Sequence, residues 1–291
     1  MKAAPFDYHA PRTLPEALEL LALYGPDARV IAGGQSLVPM LALRLARPEV
    51  LVDLNRIPEL AGIREQDGTI RIGATTRQAH ALASPLVREK LPLLHFGLSN
   101  VGHPPTRARG TIGGSLSHAD PAAETPAVML GYQARLVLAS VQGERTVDAS
   151  DFTAGTFETC LDEGEILKEI LVTIPSPEGA AFVELSRRKG DFAMASAAAR
   201  LSLDENGNCR SAHLVIGAVA PVPLRCDAAA AALGGRPVTK ETVEEALALI
   251  DMDQFEFDNP DISLAYRRHI GRVLARRALT QAFERAQGLR R

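Results

Sequence analysis

The sequence predicts an α+β protein of two domains, in which a two-lobed N-terminal domain precedes a three-stranded antiparallel sheet covered by helices. Helical and strand-like apolar patterns alternate in the first part of the 291-residue chain, whereas strands come before helices in the last part. Residues 175–179, rich in proline and glycine, separate the two parts. We therefore expect domains at residues 1–176 and 177–291, with lobes at about 1–60 and 61–176 in the first.

The first lobe is predicted to contain two helices and two strands. Thr13 and Glu16 have the spacing of a capping box, which indicates that a helix begins in LPEALELLALYG. A short buried strand follows in ARVIAG and is interrupted by Gly33 and Gly34. SLVPMLALRLA then predicts a helix, and EVLVDLN a strand that ends in polar residues.

The second lobe is predicted to begin with a strand and turn in TIRIGATTR, followed by helices near residues 78–83, 85–89 and 91–100. Residues 102–124 are punctuated by glycine and proline and are expected to form a loop. ARLVLAS and ERTVDAS flank the turn-forming VQG and predict a hairpin. ILVTIPSP predicts the strand that leaves this lobe.

The last part predicts three antiparallel strands, in AAFVELSRR, MASAAARLSLDENGN and RSAHLVIGAVAP. Helices are expected near residues 225–233, 240–250 and 262–286, where they cover the apolar face of the sheet. The basic residues of the last helix are expected on a solvated or subunit-facing surface, namely Arg267, Arg268, Arg272, Arg276 and Arg277.

Composition excludes several classes of protein. The net charge of −3 gives no electrostatic reason to expect nucleic acid as a partner. The chain shows neither a signal-type apolar region nor a membrane-length apolar run, which predicts a cytoplasmic protein without a membrane span. Cys160, Cys209 and Cys226 are too far apart for a local metal cluster and are expected to be small buried or partly buried apolar residues.

Common catalytic motifs are absent, and two glycine segments stand out instead. GxGxxG, GxxxxGK[ST], HExxH and GxSxG do not occur. Residues 32–36 read Ala-Gly-Gly-Gln-Ser and residues 111–115 read Thr-Ile-Gly-Gly-Ser. Each is an ordinary tight turn or a concave array of backbone amides that binds an anion. Two such arrays could hold a pyrophosphate, and the helix after the first would favour phosphate.

Six ordered motifs over about residues 30–195 resemble the FAD-binding medium subunits of the molybdenum hydroxylases. This family includes the subunits of carbon monoxide, xanthine and N-heterocycle dehydrogenases. The motifs are AGGQSLVPMLALRL, VDLN, IRIGATT, RARGTIGGSLSHADPAAE, GEIL and SRRKGDFA. The resemblance implies a two-lobed FAD-binding domain of the PCMH (vanillyl-alcohol oxidase-like) type, followed by the C-terminal domain of medium subunits.

The resemblance also implies a set of cofactor-binding residues. In the family, the two glycine segments bind FAD largely through backbone amides, His118 approaches the cofactor, and Glu124 takes the place of an Asp that contacts the dinucleotide. Leu167 corresponds to an apolar contact and Phe192 to a residue beside the isoalloxazine ring. Arg188, with Arg187, is a candidate to stabilise reduced flavin. The full predicted set is Ala32, Gly33, Gly34, Gln35, Ser36, Thr111, Ile112, Gly113, Gly114, Ser115, His118, Glu124, Leu167, Arg188 and Phe192.

Four positions depart from the family pattern. Gln35 stands where a His or Thr is common, and Gln cannot attach flavin covalently, so we expect dissociable FAD. Ser115 replaces a common Asn and Glu124 a common Asp, and both can still form hydrogen bonds. Arg107 and Arg109 flank an alanine where relatives often have Asn, and no role is assigned to them.

Simpler roles remain open for several of these residues. His118 is alternatively an ordinary loop histidine, Phe192 a core residue, and Arg187 with Arg188 the solvated end of a strand. Asp120 followed by Pro121 is typical of the start of a helix, which would put Glu124 in the first turn, where its charge favours the helix dipole.

The function implied is that of an FAD-binding electron-transfer subunit in a heteromeric molybdenum-containing dehydrogenase. The implied partners are a large subunit with the molybdenum cofactor and a small subunit with [2Fe–2S] clusters, in a dimer of heterotrimers. This chain would hold no metal and no acid–base catalyst, since the cofactor supplies the redox chemistry. The alternatives are a stand-alone flavoprotein oxidase or reductase and a nucleotide-sensing or scaffold module.

Overall fold

The computed structural model describes residues 2–257 and 262–288, so the last residues of the predicted second domain lie outside the described part. Residues 2–60, here called the N-terminal lobe, form a parallel sheet of order β1-β3-β2 with flanking helices. Thr13 caps the first helix as predicted, but the Glu16 carboxylate accepts from the amide of Arg12 instead of that of Thr13. The elements are β1 Asp7–His9, α1 Leu14–Tyr24, β2 Ala28–Ile31, α2 Leu37–Ala42 and β3 Val50–Asp53.

Residues 61–176, the middle lobe, form a five-stranded antiparallel sheet of order β4-β5-β10-β6-β7 with helices packed on it. The predicted hairpin is confirmed as β6 and β7. The elements are β4 Ile63–Gln66, β5 Thr69–Gly73, α3 Gln78–Ala83, α4 Pro85–Lys90, α5 Pro92–Asn100, α6 Pro104–Arg109, α7 Ile112–His118, α8 Glu124–Gly131, β6 Arg135–Ser140, β7 Gly143–Asp148, α9 Ala149–Phe152, β8 Thr153–Gly155, β9 Glu158–Thr159 and β10 Ile166–Thr173.

The predicted loop over residues 102–124 is wrong, because α6 and α7 occupy most of it. Pro104 stands at the first position of α6, where proline is favoured since its missing N–H would have no helical partner. Thr111 caps α7 through its side chain. Proline and glycine in this stretch therefore start and pack helices.

The C-terminal part contains an antiparallel sheet of order β11-β12-β13-β14. The expectation of three strands is corrected to four, because the chain doubles back after β13 and pairs over two residues. A two-residue strand has no alternation that a sequence pattern could reveal. The elements are β11 Gly179–Ser186, β12 Ala193–Leu203, β13 Cys209–Gly217, β14 Leu224–Arg225, α10 Asp227–Leu233, α11 Lys240–Leu247 and α12 Leu264–Gly288.

Both faces of this C-terminal sheet are buried, although one covered face was predicted. Helix α12 packs on β11 and β12, where Ala195, Ala197 and Ala199 leave room for a close approach. On the opposite face, Phe182 and Ala198 belong to the core of the middle lobe and lie against α5 and α8. The sheet therefore packs the C-terminal part against the middle lobe.

Buried arginines strengthen these contacts. Arg200 of β12 forms a buried ion pair with Glu178 and donates to the carbonyl of Gly131 at 2.8 Å, at the end of α8. The expectation of a solvated surface on α12 is wrong for Arg267, which is 1% exposed and donates to the carbonyls of Met194 and Ala218. Each guanidinium carries several donors, so one side chain satisfies acceptors on separate segments of the chain.

Candidate functional site

The first glycine segment, residues 32–36, connects the end of β2 to α2. Gly34 has φ of +70°, a left-handed conformation that favours glycine, and the Gln35 side chain donates to the carbonyl of Gly33 at 3.2 Å. Within residues 2–257 and 262–288, the amides of residues 33–36 donate no hydrogen bond to the chain. Successive unbonded amides around a left-handed residue form a concave site for an anion.

The second glycine segment, residues 111–115, is built differently, because it is the first turn of α7. The Thr111 hydroxyl accepts from the amide of Gly114 at 3.0 Å, and the carbonyl of Thr111 accepts from Ser115. The amides of Ile112 and Gly113 donate to the carbonyls that follow β5, at 3.0 and 2.8 Å. The sequence-based picture of two equivalent amide arrays is therefore wrong for the second segment.

The two glycine segments lie against each other where the N-terminal and middle lobes meet. A Cβ atom on Gly33 would lie 2.5 Å from the carbonyl oxygen of Arg109 and 2.8 Å from the Cα of Gly110. A Cβ on Gly114 would lie 4.0 Å from the Cβ of Ala32. Segments almost 80 positions apart in sequence thus form one surface, as they must if both are to contact one pyrophosphate.

Two side chains that sequence reasoning missed connect the glycine segments. The Arg77 guanidinium donates to the carbonyl of Arg109 and, at 2.5 Å, to the side-chain oxygen of Asn55. The Asn55 amide group in turn donates to the carbonyl of Ala32 at 2.8 Å. One sequence signal could have identified Asn55. It follows β3, and β3 pairs in parallel with β2, which leads into the first glycine segment.

His118 is the last residue of α7 and is half-buried, with its ring centroid 5.0 Å from that of Phe157. Burial lowers the pKa of His118, the carboxylate of Asp120 partly offsets this effect, and the Arg29 guanidinium adds to it. A lowered pKa keeps the imidazole neutral near pH 7. His118 is therefore suited to hydrogen bonding near the site and not to holding an anion by charge.

Glu124 opens α8 and is 8% exposed. Burial, together with the smaller effect of the Asp120 charge, raises the pKa of Glu124 to about 7. On the facing strand β11, burial and then Glu124 raise the pKa of Glu184 to about 8. Asp120 does not cap the helix as proposed from sequence, since Ala123 holds that position and Asp120 accepts from the amide of Ala122 at 2.9 Å.

Leu167 and Phe192 have opposite environments. Leu167 of β10 is 3% exposed and lies in the core that also contains Ile112 of α7. Phe192 is 69% exposed, so its alternative role as a core residue is wrong. Phe192 and Arg188 belong to the turn between β11 and β12, which carries exposed residues.

This turn reaches the second glycine segment through α6. A Cβ on Gly190, which has φ of +89°, would lie 2.6 Å from the His103 ring. His103 is the residue before α6, and α6 ends directly before Gly110 and Thr111. The structure therefore ties the exposed turn to the α6–α7 unit, whereas Leu167 lies beneath that unit in the core.

Comparison with known protein families identifies the family of this chain. The family described as FAD binding domain in molybdopterin dehydrogenase matches residues 4–177, which is more than half of the chain. The chain belongs to this family. The remainder matches the CO dehydrogenase flavoprotein C-terminal domain over residues 180–282. The resemblance inferred from sequence motifs is thereby confirmed.

Individual members of the molybdopterin dehydrogenase family are similar over nearly their whole length. The 6-hydroxypseudooxynicotine dehydrogenase complex subunit alpha of Paenarthrobacter nicotinovorans is 40% identical, covering 99% of this chain and 97% of the relative. The carbon monoxide dehydrogenase medium chain of Hydrogenophaga pseudoflava is 42% identical, covering 83% of this chain and 84% of the relative. The chain is therefore an FAD-binding oxidoreductase subunit.

Solved structures of the family have the same fold. A carbon monoxide dehydrogenase from Hydrogenophaga pseudoflava, lacking the Mo-pyranopterin moiety, superposes with a TM-score of 0.94 at 39% identity over 98% of this chain and 99% of that chain. Quinoline 2-oxidoreductase from Pseudomonas putida 86 superposes with a TM-score of 0.93 at 37% identity, over 98% of this chain and 99% of that chain. The predicted α+β class and its two-part architecture are confirmed.

The residues present fit FAD. Four unbonded amides in residues 33–36 suit a pyrophosphate, and a Cβ at Gly34 would point into space already bounded by Val38, 3.0 Å away. Two guanidinium groups, of Arg77 and Arg109, lie close enough to repel each other and add positive potential beside these amides. In the described part of the chain, no helix has the length and apolarity needed to cross a membrane.

Proposed function

We propose that this chain is the FAD-binding electron-transfer subunit of a heteromeric molybdenum-containing dehydrogenase. It takes electrons from a [2Fe–2S] cluster on a small partner subunit and passes them to an external acceptor. A large partner subunit holds the molybdenum cofactor. The observation that carries the proposal is the junction of the two glycine segments, with its unbonded amides, in a chain of this family.

The two segments play unequal parts in holding the cofactor. The amides of Gly33, Gly34, Gln35 and Ser36 donate to the pyrophosphate, with Ala32 at the start of the segment. The second segment supplies a rigid wall beside it, because its own amides are committed to the fold. That wall consists of Thr111, Ile112, Gly113, Gly114 and Ser115.

The remaining predicted residues surround the cofactor without acting as acids or bases. His118 and Glu124 hydrogen-bond near the dinucleotide, Leu167 supports the site from the core, and Phe192 with Arg188 approaches the flavin ring from the exposed turn. Bound FAD supplies the redox chemistry, while the chain binds and orients it. FAD is non-covalent, because Gln35 offers no nucleophile at the position where attachment would occur.

The cofactor half of the proposal is tested on the full-length chain. The chain is purified, stripped of cofactor and titrated with FAD, with flavin fluorescence and absorbance as readouts. We expect one FAD per chain, fully released on denaturation. A chain that takes up no FAD, alone or in its complex, contradicts the proposal.

The electron-transfer half requires the partners. Co-expression should yield a complex with large and small subunits that contains molybdenum and iron, with the mass of a dimer of heterotrimers by light scattering. Under anaerobic conditions, reduced iron–sulfur partner should bleach the visible absorption of the FAD-loaded chain. Unchanged absorption contradicts the proposal, and turnover of a small organic donor by the single chain would identify a stand-alone oxidase or reductase.

A further inference from the structure

The spacing between the two glycine segments must be maintained across a lobe boundary. The first segment belongs to the N-terminal lobe and follows β2, whereas the second belongs to the middle lobe and opens α7. A pyrophosphate held by the amides of the first segment has the second segment as its wall. The gap between the two backbones therefore determines how well a dinucleotide fits.

Asn55 is fixed on the side of the N-terminal lobe. It follows β3, and its backbone amide donates to the carboxylate of Asp53 at 2.8 Å. Its side-chain NH₂ donates to the carbonyl of Ala32, also at 2.8 Å. Because Asp53 and Ile31 are register partners in the parallel ladder, Asn55 lies beside the point where the first segment leaves the sheet.

Arg77 is fixed on the side of the middle lobe. Its backbone forms an isolated antiparallel bridge with Thr111, the capping residue of the second segment. The next amide in the chain, that of Gln78, donates to the carbonyl of Gly110 at 2.9 Å. From this position the Arg77 guanidinium reaches both the Arg109 carbonyl and the side-chain oxygen of Asn55.

The two side chains complete an uninterrupted path from one glycine segment to the other. The Ala32 carbonyl accepts from Asn55, Asn55 accepts from Arg77, and Arg77 donates to the carbonyl two residues before Thr111. A planar guanidinium has several donors in a fixed geometry, so it can hold two acceptors at a set separation. Lysine carries a point charge and cannot reproduce that geometry.

We propose that Asn55 and Arg77 form a clamp that sets the separation of the two glycine segments and are positioning residues for FAD. This inference rests on the proposed function, since it concerns the same cofactor site. The clamp acts by preorganisation: the two segments are held in the binding geometry before FAD arrives, which lowers the ordering cost of binding. Neither residue is assigned a step in electron transfer.

The test measures the dissociation constant of FAD for the full-length chain. Asn55→Ala and Arg77→Ala should each raise it by about tenfold, the effect of losing one charge-assisted hydrogen bond. Arg77→Lys should recover part of the loss. The double variant should bind FAD only slightly less tightly than the weaker-binding single variant, because either change breaks the same chain of hydrogen bonds.

Matched controls separate this effect from general loss of structure. Asn100→Ala removes a side-chain amide that bonds to the carbonyl of Phe96, and Arg64→Ala removes an arginine paired with Glu169, both outside the glycine segments. Both controls should bind FAD as the wild type does. Asn55→Asp keeps the acceptor for Arg77 but loses the donor to Ala32 and sets a second carboxylate beside that of Asp53, so it should weaken FAD binding as Asn55→Ala does.

Each outcome has one meaning. A wild-type chain that binds FAD neither alone nor in its complex contradicts the proposed function itself. If the wild type binds and the clamp variants match the controls, the clamp is wrong. If a clamp variant fails to fold, Asn55→Asp and Arg77→Lys decide, and unchanged FAD affinity in both overturns the proposal. The visible circular dichroism of bound flavin should also change in clamp variants, whereas a merely structural role leaves it unaltered.

Discussion

The two glycine segments share a sequence pattern and differ in structure. Each has two adjacent glycines followed within two residues by a serine. In residues 32–36 the pattern forms a left-handed turn whose amides, in the part of the chain that the structure describes, make no hydrogen bond to the protein. In residues 111–115 it forms a capped helical turn with every amide from 112 to 115 bonded. Adjacent glycines therefore predict that another group packs closely on the backbone, but not whether that group is a ligand or another part of the protein.

A residue ahead of each glycine pair accounts for the difference, namely Thr111, two positions before Gly113, and Ala32, directly before Gly33. Thr111 is a good N-cap, and its hydroxyl draws the following residues into a helix. Ala32 has no side chain that can cap, so the chain continues to Gly34 and turns there with positive φ. Gly113 allows α7 to pack closely on Ala74 at the end of β5, whereas Gly34 allows the positive φ of the turn in residues 32–36. This contrast can be tested by substituting each region in turn.

The largest expected effect is on folding, from Gly113→Ala. The added Cβ would lie 2.5 Å from the Cβ of Ala74 and 2.7 Å from its carbonyl oxygen, and backbone cannot yield as a flexible side chain does. We expect a loss of about 3 kcal/mol in the free energy of unfolding, as for a strongly overpacked core. Urea denaturation of the stripped chain measures it. Gly288→Ala, in open space at the end of α12, is the control, and equal stability of the two variants would show that the second segment is not packed.

The next effect concerns pH and the buried carboxyl that follows the second segment. Burial raises the pKa of Glu124 from an ordinary 4.5 to about 7, so between these values the folded chain binds more protons than the unfolded chain. Stability is then full below about pH 4.5 and falls as pH rises through 7, by about 2–3 kcal/mol. Glu184, whose pKa burial raises to about 8, acts in the same direction.

Glu124→Gln isolates that contribution. The variant carries no proton to release, so the fall in unfolding free energy between pH 5 and pH 8 should shrink by most of the Glu124 share. Urea denaturation at the two pH values measures the difference. Glu89→Gln, at an exposed position on α4, should leave the pH dependence as it is in the wild type. A Glu124→Gln profile identical to that of the wild type would show that Glu124 ionises normally.

A smaller difference in stability is expected between substitutions of Thr111 and Ser36, the residues directly before α7 and α2. Thr111 caps α7 with its hydroxyl, whereas the side chain of Ser36, at the equivalent position of α2, forms no capping bond in the described structure. Thr111→Ala should cost between about 1 and 2 kcal/mol of unfolding free energy, and Ser36→Ala close to nothing. Thermal unfolding of the two variants side by side measures this. Equal losses would mean that both segments are capped alike.

Sequence patterns predicted what depends on neighbours along the chain. The hairpin β6–β7, the strands β11 to β13, the helices α3 to α5 and the breaks at Gly33 and Gly34 are local consequences of periodicity and turn residues. The glycine segments were also identified as candidates. Their different structures were not, because capping by Thr111 and the bonds to the end of β5 compete with the turn that two glycines suggest.

Contacts between distant side chains could not be predicted in this way. Asn55 and Arg77 meet because two lobes pack together, and the VDLN motif that contains Asn55 does not indicate its partner. Phe192 is exposed because it lies on a turn beyond the sheet, although an aromatic residue before an apolar strand suggests the core. Arg267 is buried where its guanidinium donates to the carbonyls of Met194 on β12 and of Ala218 just after β13, which no count of charges along α12 reveals.

The smallest effect on stability, and the sharpest test of the comparison, comes from Gly34→Ala. Gly34 and Gly68 both have φ of +70°, but a Cβ added at Gly68, in the turn between β4 and β5, would have no atom within 4 Å. Alanine at either position should cost about 1 kcal/mol for the left-handed backbone. Only the Gly34 variant should also lose FAD affinity, by about tenfold, since its Cβ would press on the Val38 side chain at 3.0 Å and displace the turn whose amides bind the pyrophosphate. Equal FAD affinity in the two variants would place the pyrophosphate elsewhere and leave the first segment an ordinary turn.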